Sequence, residues 1–173
     1  MEKAKYRTIS WVLLMCISMP AIVYGGEPGR DALFRIERNK NANIVQYDAQ
    51  VGNDGMLNSK EPVVAYWVRL ADEGQVQELS WIQNKFAYGF STKFNKTKNT
   101  ATLNMAANLG RTILVRRDEG DYRAVANIDS VDSYIEKIFI HATGKGTSTK
   151  VNYIELYGKA INSEDDQYER FSP

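Results

Sequence analysis

The sequence predicts a mainly β fold: a single antiparallel β-barrel or β-sandwich of about eight or nine strands, with one short helix. Three observations predict it. Apolar and polar side chains alternate with a period of two along most of the chain beyond residue 30. β-branched and aromatic residues are enriched in the same stretches. Clusters of Gly, Asn and Asp separate these stretches at short intervals, as hairpin turns require.

The individual strands follow from this alternation in chain order. Residues 32–38 place Phe34 and Ile36 on one face, and residues 43–49 do the same with Val45 and Tyr47. Residues 63–70 are apolar on both faces until Arg69, which is typical of a central or barrel strand. Further strands are predicted at residues 88–94, 100–106, 111–117, 121–128, 134–142 and 151–161.

Residues 74–89 depart from the period-two alternation, because their apolar side chains recur at helical spacing. The recurring positions are Val76, Leu79, Ile82 or Gln83, and Phe86. We therefore predict one short amphipathic helix that packs on the sheet or caps it. No internal repeat or linker is visible, so residues 26–162 are predicted to form a single domain. The polar C-terminal tail, residues 163–173, is expected to fray.

The N-terminus has the pattern of a signal peptide over residues 1–25. Three basic residues precede an apolar run from Ile9 to Val23, and small residues follow at Gly25 and Gly26. Pro20 interrupts the run, which falls short of the roughly 20 apolar residues of a membrane span, so no permanent membrane anchor is expected. Cys16 lies within the predicted signal. The sequence thus predicts an exported, cysteine-free mature chain located in the periplasm or outside the cell.

Composition narrows the chemistry. The balance of 22 Lys+Arg against 21 Asp+Glu provides no basic excess, so no nucleic-acid partner is expected. One His and one Cys leave little material for a catalytic triad or a zinc site, and we predict no cofactor and no metal. The Gly-Lys loop at residues 143–149 lacks the upstream Gly of a phosphate-binding loop, where Phe139 stands instead, and is predicted to be a hairpin loop.

Carboxylates remain as candidate catalytic groups. Glu37, Asp48 and Glu155 lie in predicted strands, and Glu155 shares its strand face with Tyr153 and Tyr157. Two such acids can flank a glycosidic bond. A carboxylate-based hydrolase of an envelope or extracellular polymer is therefore one alternative function, and a structural or assembly protein of the cell envelope is another.

The leading hypothesis is a non-catalytic module that binds a small molecule, a glycan or a partner protein; whether the chain is an enzyme stays open. Aromatic and arginine side chains on inward strand faces are suited to line a ligand cavity. The predicted ligand-binding residues are Arg35, Arg38, Asn41, Asn43, Tyr47, Tyr66, Trp67, Arg69 and Tyr88.

Four segments also resemble one protein family. They are residues 34–49, 62–67 (Pro-Val-Val-Ala-Tyr-Trp), 79–89 (ending Ala-Tyr-Gly) and 153–158 (Tyr-Ile-Glu-Leu-Tyr-Gly). In this order they resemble the bacterial exported family catalogued as domain of unknown function 4833, over about residues 33–160. The resemblance implies an exported domain of unassigned activity and supplies no catalytic residues.

Overall fold

Strands make up most of the described chain, and one short helix interrupts them. The structure, a computed structural model, describes residues 31–107, 109–144, 148–163 and 165–173. The predicted signal peptide and the centre of the 143–149 loop lie outside the described residues. The strands are β1 (Ala32–Arg38), β2 (Asn41–Ala49), β3 (Val63–Arg69), β4 (Gln75–Glu78), β5 (Phe90–Asn95), β6 (Thr100–Met105), β7 (Ile113–Asp118), β8 (Asp121–Ile128), β9 (Val131–Thr143), β10 (Lys150–Ala160) and β11 (Asp166–Phe171). A 3-10 turn (Leu70–Asp72) follows β3, and the helix α1 (Trp81–Phe86) follows β4. The prediction of a mainly β protein is confirmed.

The sheet forks at its longest strand, β9. One edge of β9 pairs with β10 along residues 133–143, and β11 extends the sheet beyond β10. The other edge serves two strands: residues 131–134 pair antiparallel with β8, and residues 137–140 pair parallel with β1. From this fork one arm runs β8-β7-β6-β5 and the other runs β1-β2-β3-β4.

The two arms curl toward each other around one core. The ring of Tyr47 in β2 lies 5.8 Å from that of Phe90 in β5, and the Leu57 amide donates to Asn99 Oδ1 at 3.1 Å. Ile138 and Leu156 on the shared strands are fully buried between the arms. Among the described residues, the buried cluster runs from Leu33 to Leu156.

The sheet is a curled, open half-barrel, and the prediction of a barrel or sandwich was wrong in this respect. The arms end on separate strands, β4 and β5, which do not pair with each other, so the sheet has free edges. The structure also has eleven strands in its sheet rather than eight or nine, and the β1–β9 pair is parallel. The two additional strands are β4 and β11, and the parallel pair arises because β1 joins β9 from a distant part of the sequence instead of through a hairpin.

The helix is shorter than predicted, and its apolar side chains face solvent instead of the sheet. Residues 75–78 form strand β4, since Gln77 pairs with Trp67 of β3 and the β3 edge supplies backbone hydrogen bonds. The helix begins only after Ser80, which forms a reciprocal capping box with Gln83. Leu79 is buried, but Ile82 and Phe86 are 64% exposed. The expectation that this apolar stripe packs on the sheet was therefore wrong.

The C-terminus is ordered into the sheet rather than frayed. Residues 166–171 pair with residues 154–159 of β10 in continuous antiparallel register. Arg111 adds a bidentate contact to Glu169, with Nη1–Oε2 at 2.6 Å and Nη2–Oε1 at 2.7 Å. These contacts give the polar segment partners that its composition alone does not reveal.

Candidate functional site

Four strands present side chains in register on the face turned away from the core, here called the outer face. Inward Ile36, Ile138 and Leu156 alternate with the outward residues of β1, β9 and β10. The pairing places the outward residues in rows across the strands. The first row is Arg35–Lys137–Tyr157–Tyr168, the second is Glu37–Phe139–Glu155–Arg170, and the third is His141–Tyr153.

Glu155 is the buried acid of the outer face. Its side chain is only 8% exposed, and it accepts hydrogen bonds from Tyr157 Oη, Tyr168 Oη and Arg170 Nε, each at 2.9 Å. Burial by itself raises the pKa of this carboxyl, but the bonds from Arg170 and the two tyrosines outweigh it and hold the pKa below its ordinary value. Glu155 is therefore an ionised acceptor whose hydrogen-bonding positions are already in use.

Cations lie over the tyrosine rings of the same face. Lys137 Nζ is 4.0 Å from the ring centre of Tyr157, and the Arg170 guanidinium carbon is 4.4 Å from that of Tyr153. The Tyr153 ring stacks on His141 at 4.6 Å and 7°. Desolvation, with the hydrogen bond to Glu155, raises the pKa of Tyr157 to about 12. The Tyr157 phenol thus stays neutral at physiological pH.

A cleft of about 920 Å³ opens where the sheet forks. Its floor includes Ile135 and Glu136, which lie between the β9 residues that pair with β8 and those that pair with β1. The β7–β8 hairpin forms one wall and the start of β1 another. Every member of the first outer-face row, Arg35, Lys137, Tyr157 and Tyr168, lines this cleft.

The hairpin wall adds a second polar group to the cleft. Asp118 Oδ2 accepts a hydrogen bond from Tyr134 Oη and another from Arg116 Nη2, the latter at 3.2 Å. The hydrogen bond from Tyr134, followed by that from Arg116, lowers the pKa of Asp118. The guanidinium carbon of Arg123 lies 5.2 Å from the Tyr134 ring centre. Both sides of the cleft therefore offer an aromatic ring next to a cation and a carboxylate.

Four of the nine residues predicted to bind a ligand lie together, but three of them are buried in the core and the fourth, Arg38, is half-buried. Arg38 Nη1 donates to Tyr88 Oη at 2.7 Å, and the Tyr88 ring meets that of Trp67 edge-on at 5.1 Å. Tyr47 Oη donates to the Tyr88 carbonyl at 2.5 Å. Tyr47, Trp67 and Tyr88 are 0%, 9% and 2% exposed, so their rings pack against the protein itself.

The other five predicted residues are dispersed. Asn41 Oδ1 accepts from the Asn43 amide at 3.0 Å at the start of β2. Tyr66 donates to Asp48 and Arg69 pairs with Asp72. Arg35 lies on the outer face and is the one predicted residue that lines the cleft. The remaining cleft residues were missed, although the shared strand face of Tyr153, Glu155 and Tyr157 was a signal toward them.

Two further findings concern the described residues alone. They contain no group of three or more His, Cys, Asp or Glu side chains arranged to hold a metal ion. Within the same ranges, no helix has the length and apolar character needed to cross a membrane.

Comparison with known proteins gives one match. Searches of curated proteins and of solved structures find no match. The model of one family, described as a domain of unknown function (DUF4833), matches residues 34–170, which covers all of the strands from within β1 to within β11. The chain therefore belongs to the family of domain of unknown function 4833.

Proposed function

We propose that this protein is a non-catalytic binding module that holds a neutral glycan in the cleft at the fork of the sheet. The observation that carries the proposal is the first outer-face row, Arg35–Lys137–Tyr157–Tyr168, which lies along a cleft of about 920 Å³. A cleft of this volume lies within the range of about 300–1,000 Å³ that is typical of small-ligand sites.

The charges of the cleft favour a neutral polar ligand. Its lining holds four cations, Arg35, Arg123, Lys137 and Lys159, and five carboxylates, Asp118, Glu119, Asp121, Glu136 and Asp166. The formal sum of four minus five is −1, so neither a phosphate nor a strongly cationic ligand meets a matching field. Sugar hydroxyls donate and accept hydrogen bonds, and both kinds of partner are present in the lining.

The tyrosines supply apolar surface for the sugar ring. The rings of Tyr157 and Tyr168 are 5.2 Å apart at an interplanar angle of 54°, and Tyr168 is 46% exposed. A phenol ring offers an apolar face together with a hydroxyl, and it loses little conformational entropy on binding. Hydrogen bonds to Glu155 already fix both rings, so their orientation is set before a ligand arrives.

The state of Glu155 supports binding over hydrolysis. A glycosidase needs one protonated acid with a raised pKa beside its substrate. Glu155 instead has a lowered pKa and hydrogen-bond donors from three residues. The Glu37 carboxylate lies 2.7 Å from Arg35 Nε and 4.0 Å from Lys137 Nζ. With the predicted signal peptide, the ligand is expected to be a glycan of the cell envelope or its surroundings.

The test is a glycan array of neutral and anionic oligosaccharides, followed by calorimetric titration of the neutral oligosaccharide with the highest signal. We expect Tyr168→Ala to weaken binding by about tenfold or more, since it removes an exposed ring from the cleft. Tyr153→Ala is the matched control, because Tyr153 is on the same outer face but outside the cleft lining. Equal effects of the two variants, or no neutral ligand on the array, would refute the proposal.

A further inference from the structure

The helix α1 presents its apolar side chains to solvent. Trp81, Ile82 and Phe86 are 69%, 64% and 64% exposed. The residue of the helix that turns toward the protein is Gln83, whose Oε1 accepts from Trp67 Nε1 at 3.2 Å and from the Ser80 amide at 2.8 Å. The usual orientation of an amphipathic helix is reversed here, so the apolar stripe has no partner within the described chain.

The exposed group, here called the α1 patch, consists of Trp81, Ile82, Lys85 and Phe86. Lys85 Nζ lies 5.0 Å from the Trp81 ring centre and 5.3 Å from that of Phe86, and the two rings meet edge-on at 6.3 Å. The capping box at Ser80 and the two hydrogen bonds of Gln83 fix the helix on the domain. The α1 patch is therefore a preformed apolar projection that carries one cation.

The area of the α1 patch argues against a second copy as its occupant. Three large side chains at about two-thirds exposure offer on the order of 400 Å². A standard protein–protein interface buries roughly 800 Å² on each partner. A lipid surface needs no such complementary area, because affinity for it increases with the apolar surface that reaches the boundary between headgroups and acyl chains.

The composition of the α1 patch matches that boundary. Tryptophan is enriched at membrane–water interfaces, and lysine lets its ammonium reach headgroups while its stem stays among apolar groups. Lys85 lies between the two rings, so its charge meets the lipid phosphates when the rings enter the membrane. We infer that the α1 patch docks this protein peripherally on an anionic lipid surface through Trp81, Ile82 and Phe86.

The test uses residues 26–173, which contain every buried residue that the structure describes and lack the apolar N-terminal segment. Vesicles of phosphatidylcholine and phosphatidylglycerol in equal parts are the probe, with pure phosphatidylcholine alongside. We expect the protein to sediment with the mixed vesicles and its tryptophan emission to shift to the blue. Residues 26–173 hold two of the three tryptophans, Trp67, which is 9% exposed, and Trp81, so the shift reports on Trp81.

The triple substitution W81S/I82S/F86S is expected to lower vesicle partitioning by at least about tenfold, equivalent to 1.4 kcal/mol. The double substitution M56S/V131S is the matched control, since it removes exposed apolar side chains elsewhere (42% and 37% exposed). Equal sedimentation of the triple variant and the wild type would overturn the inference. So would a wild-type protein that stays in the supernatant, or one that forms dimers which the triple variant abolishes.

Discussion

Tyr47→Phe is the substitution that separates structural tyrosines from ligand-binding ones. Tyr47 is fully buried, and its hydroxyl donates to the Tyr88 carbonyl at 2.5 Å. Phenylalanine keeps the ring stacked on Phe34 at 4.5 Å and close to Phe90 at 5.8 Å, so only the hydrogen bond is lost. No bulk water reaches the vacated position.

The expected loss in the free energy of unfolding is about 1–3 kcal/mol, the cost of leaving a buried acceptor without its donor. Urea unfolding followed by circular dichroism measures it, with the slope m unchanged. Tyr153→Phe is the control, because its ring stacks on His141 and is only half-buried; the variant is expected to stay within about 0.5 kcal/mol of the wild type.

Alkaline pH gives a second measurement on the same variant. Burial first, and the neighbouring Tyr88 second, raise the pKa of Tyr47 well above its ordinary value. Above a pH of about 10 the unfolded chain releases this proton while the folded chain keeps it, so wild-type stability falls. The difference in the free energy of unfolding between the wild type and Tyr47→Phe is therefore expected to be largest below that pH and to narrow above it. Equal urea midpoints at neutral pH, or glycan binding lost from a stable Tyr47→Phe protein, would refute the structural role.

Two further predictions concern the shared strands and the core. Glu155→Gln is expected to destabilise the protein most at neutral pH, because the lowered pKa of Glu155 stabilises the fold only while the carboxylate is ionised. The difference in the free energy of unfolding between this variant and the wild type should therefore narrow as the pH falls below about 4.3. Urea midpoints across this range test the prediction, and a difference that does not change with pH contradicts it. Leu103→Ala removes a fully buried side chain between the arms and is expected to cost about 2–5 kcal/mol. Leu70→Ala, at a residue that is 55% exposed, is the control and is expected to lower the free energy of unfolding by less than about 0.5 kcal/mol in the same assay. Equal losses for the Leu103 and Leu70 variants would contradict the position of Leu103 in the core.

Local alternation was sufficient to predict the strands that are buried on one face. The bounds of β1 and β8, Ala32–Arg38 and Asp121–Ile128, agree with the sequence prediction residue for residue. In both strands a buried residue alternates with a more exposed one over much of the length, which is the pattern that period two detects. The fold class could therefore be predicted from the sequence.

Residues 74–89 show where this reasoning fails. Val76 belongs to an edge strand and Phe86 to a helix whose apolar side faces solvent, although both fit one helical stripe. Hydrogen bonding along the edge of β3 outweighs the local helical period for residues 75–78. A periodic stripe predicts burial only when a partner surface exists, and no local pattern specifies that surface.

The candidate site depended on strand register, which the sequence does not display. Arg35 meets Lys137 only because β1 pairs in parallel with β9, across a connection that passes through seven intervening strands. Tyr157 and Tyr168 then join that row through two hairpin registers. In the sequence, the aromatic residues of β2 and β3 indicated a cavity more clearly than the residues of this row did. In the structure, however, Tyr47 and Trp67 pack in the core.

The fork links the fold to the proposed site through Gly158. The register between β9 and β10 shifts between Tyr157 and Gly158, opposite the point where β9 changes its partner from β8 to β1. A Cβ atom on Gly158 would lie 2.1 Å from the Tyr134 carbonyl oxygen, so only glycine lets β10 stay close to β9 there. Tyr157 and Gly158, the two residues at this register shift, both line the cleft. Gly158 therefore keeps β10 paired with β9 at the position where β9 changes its partner and the cleft opens.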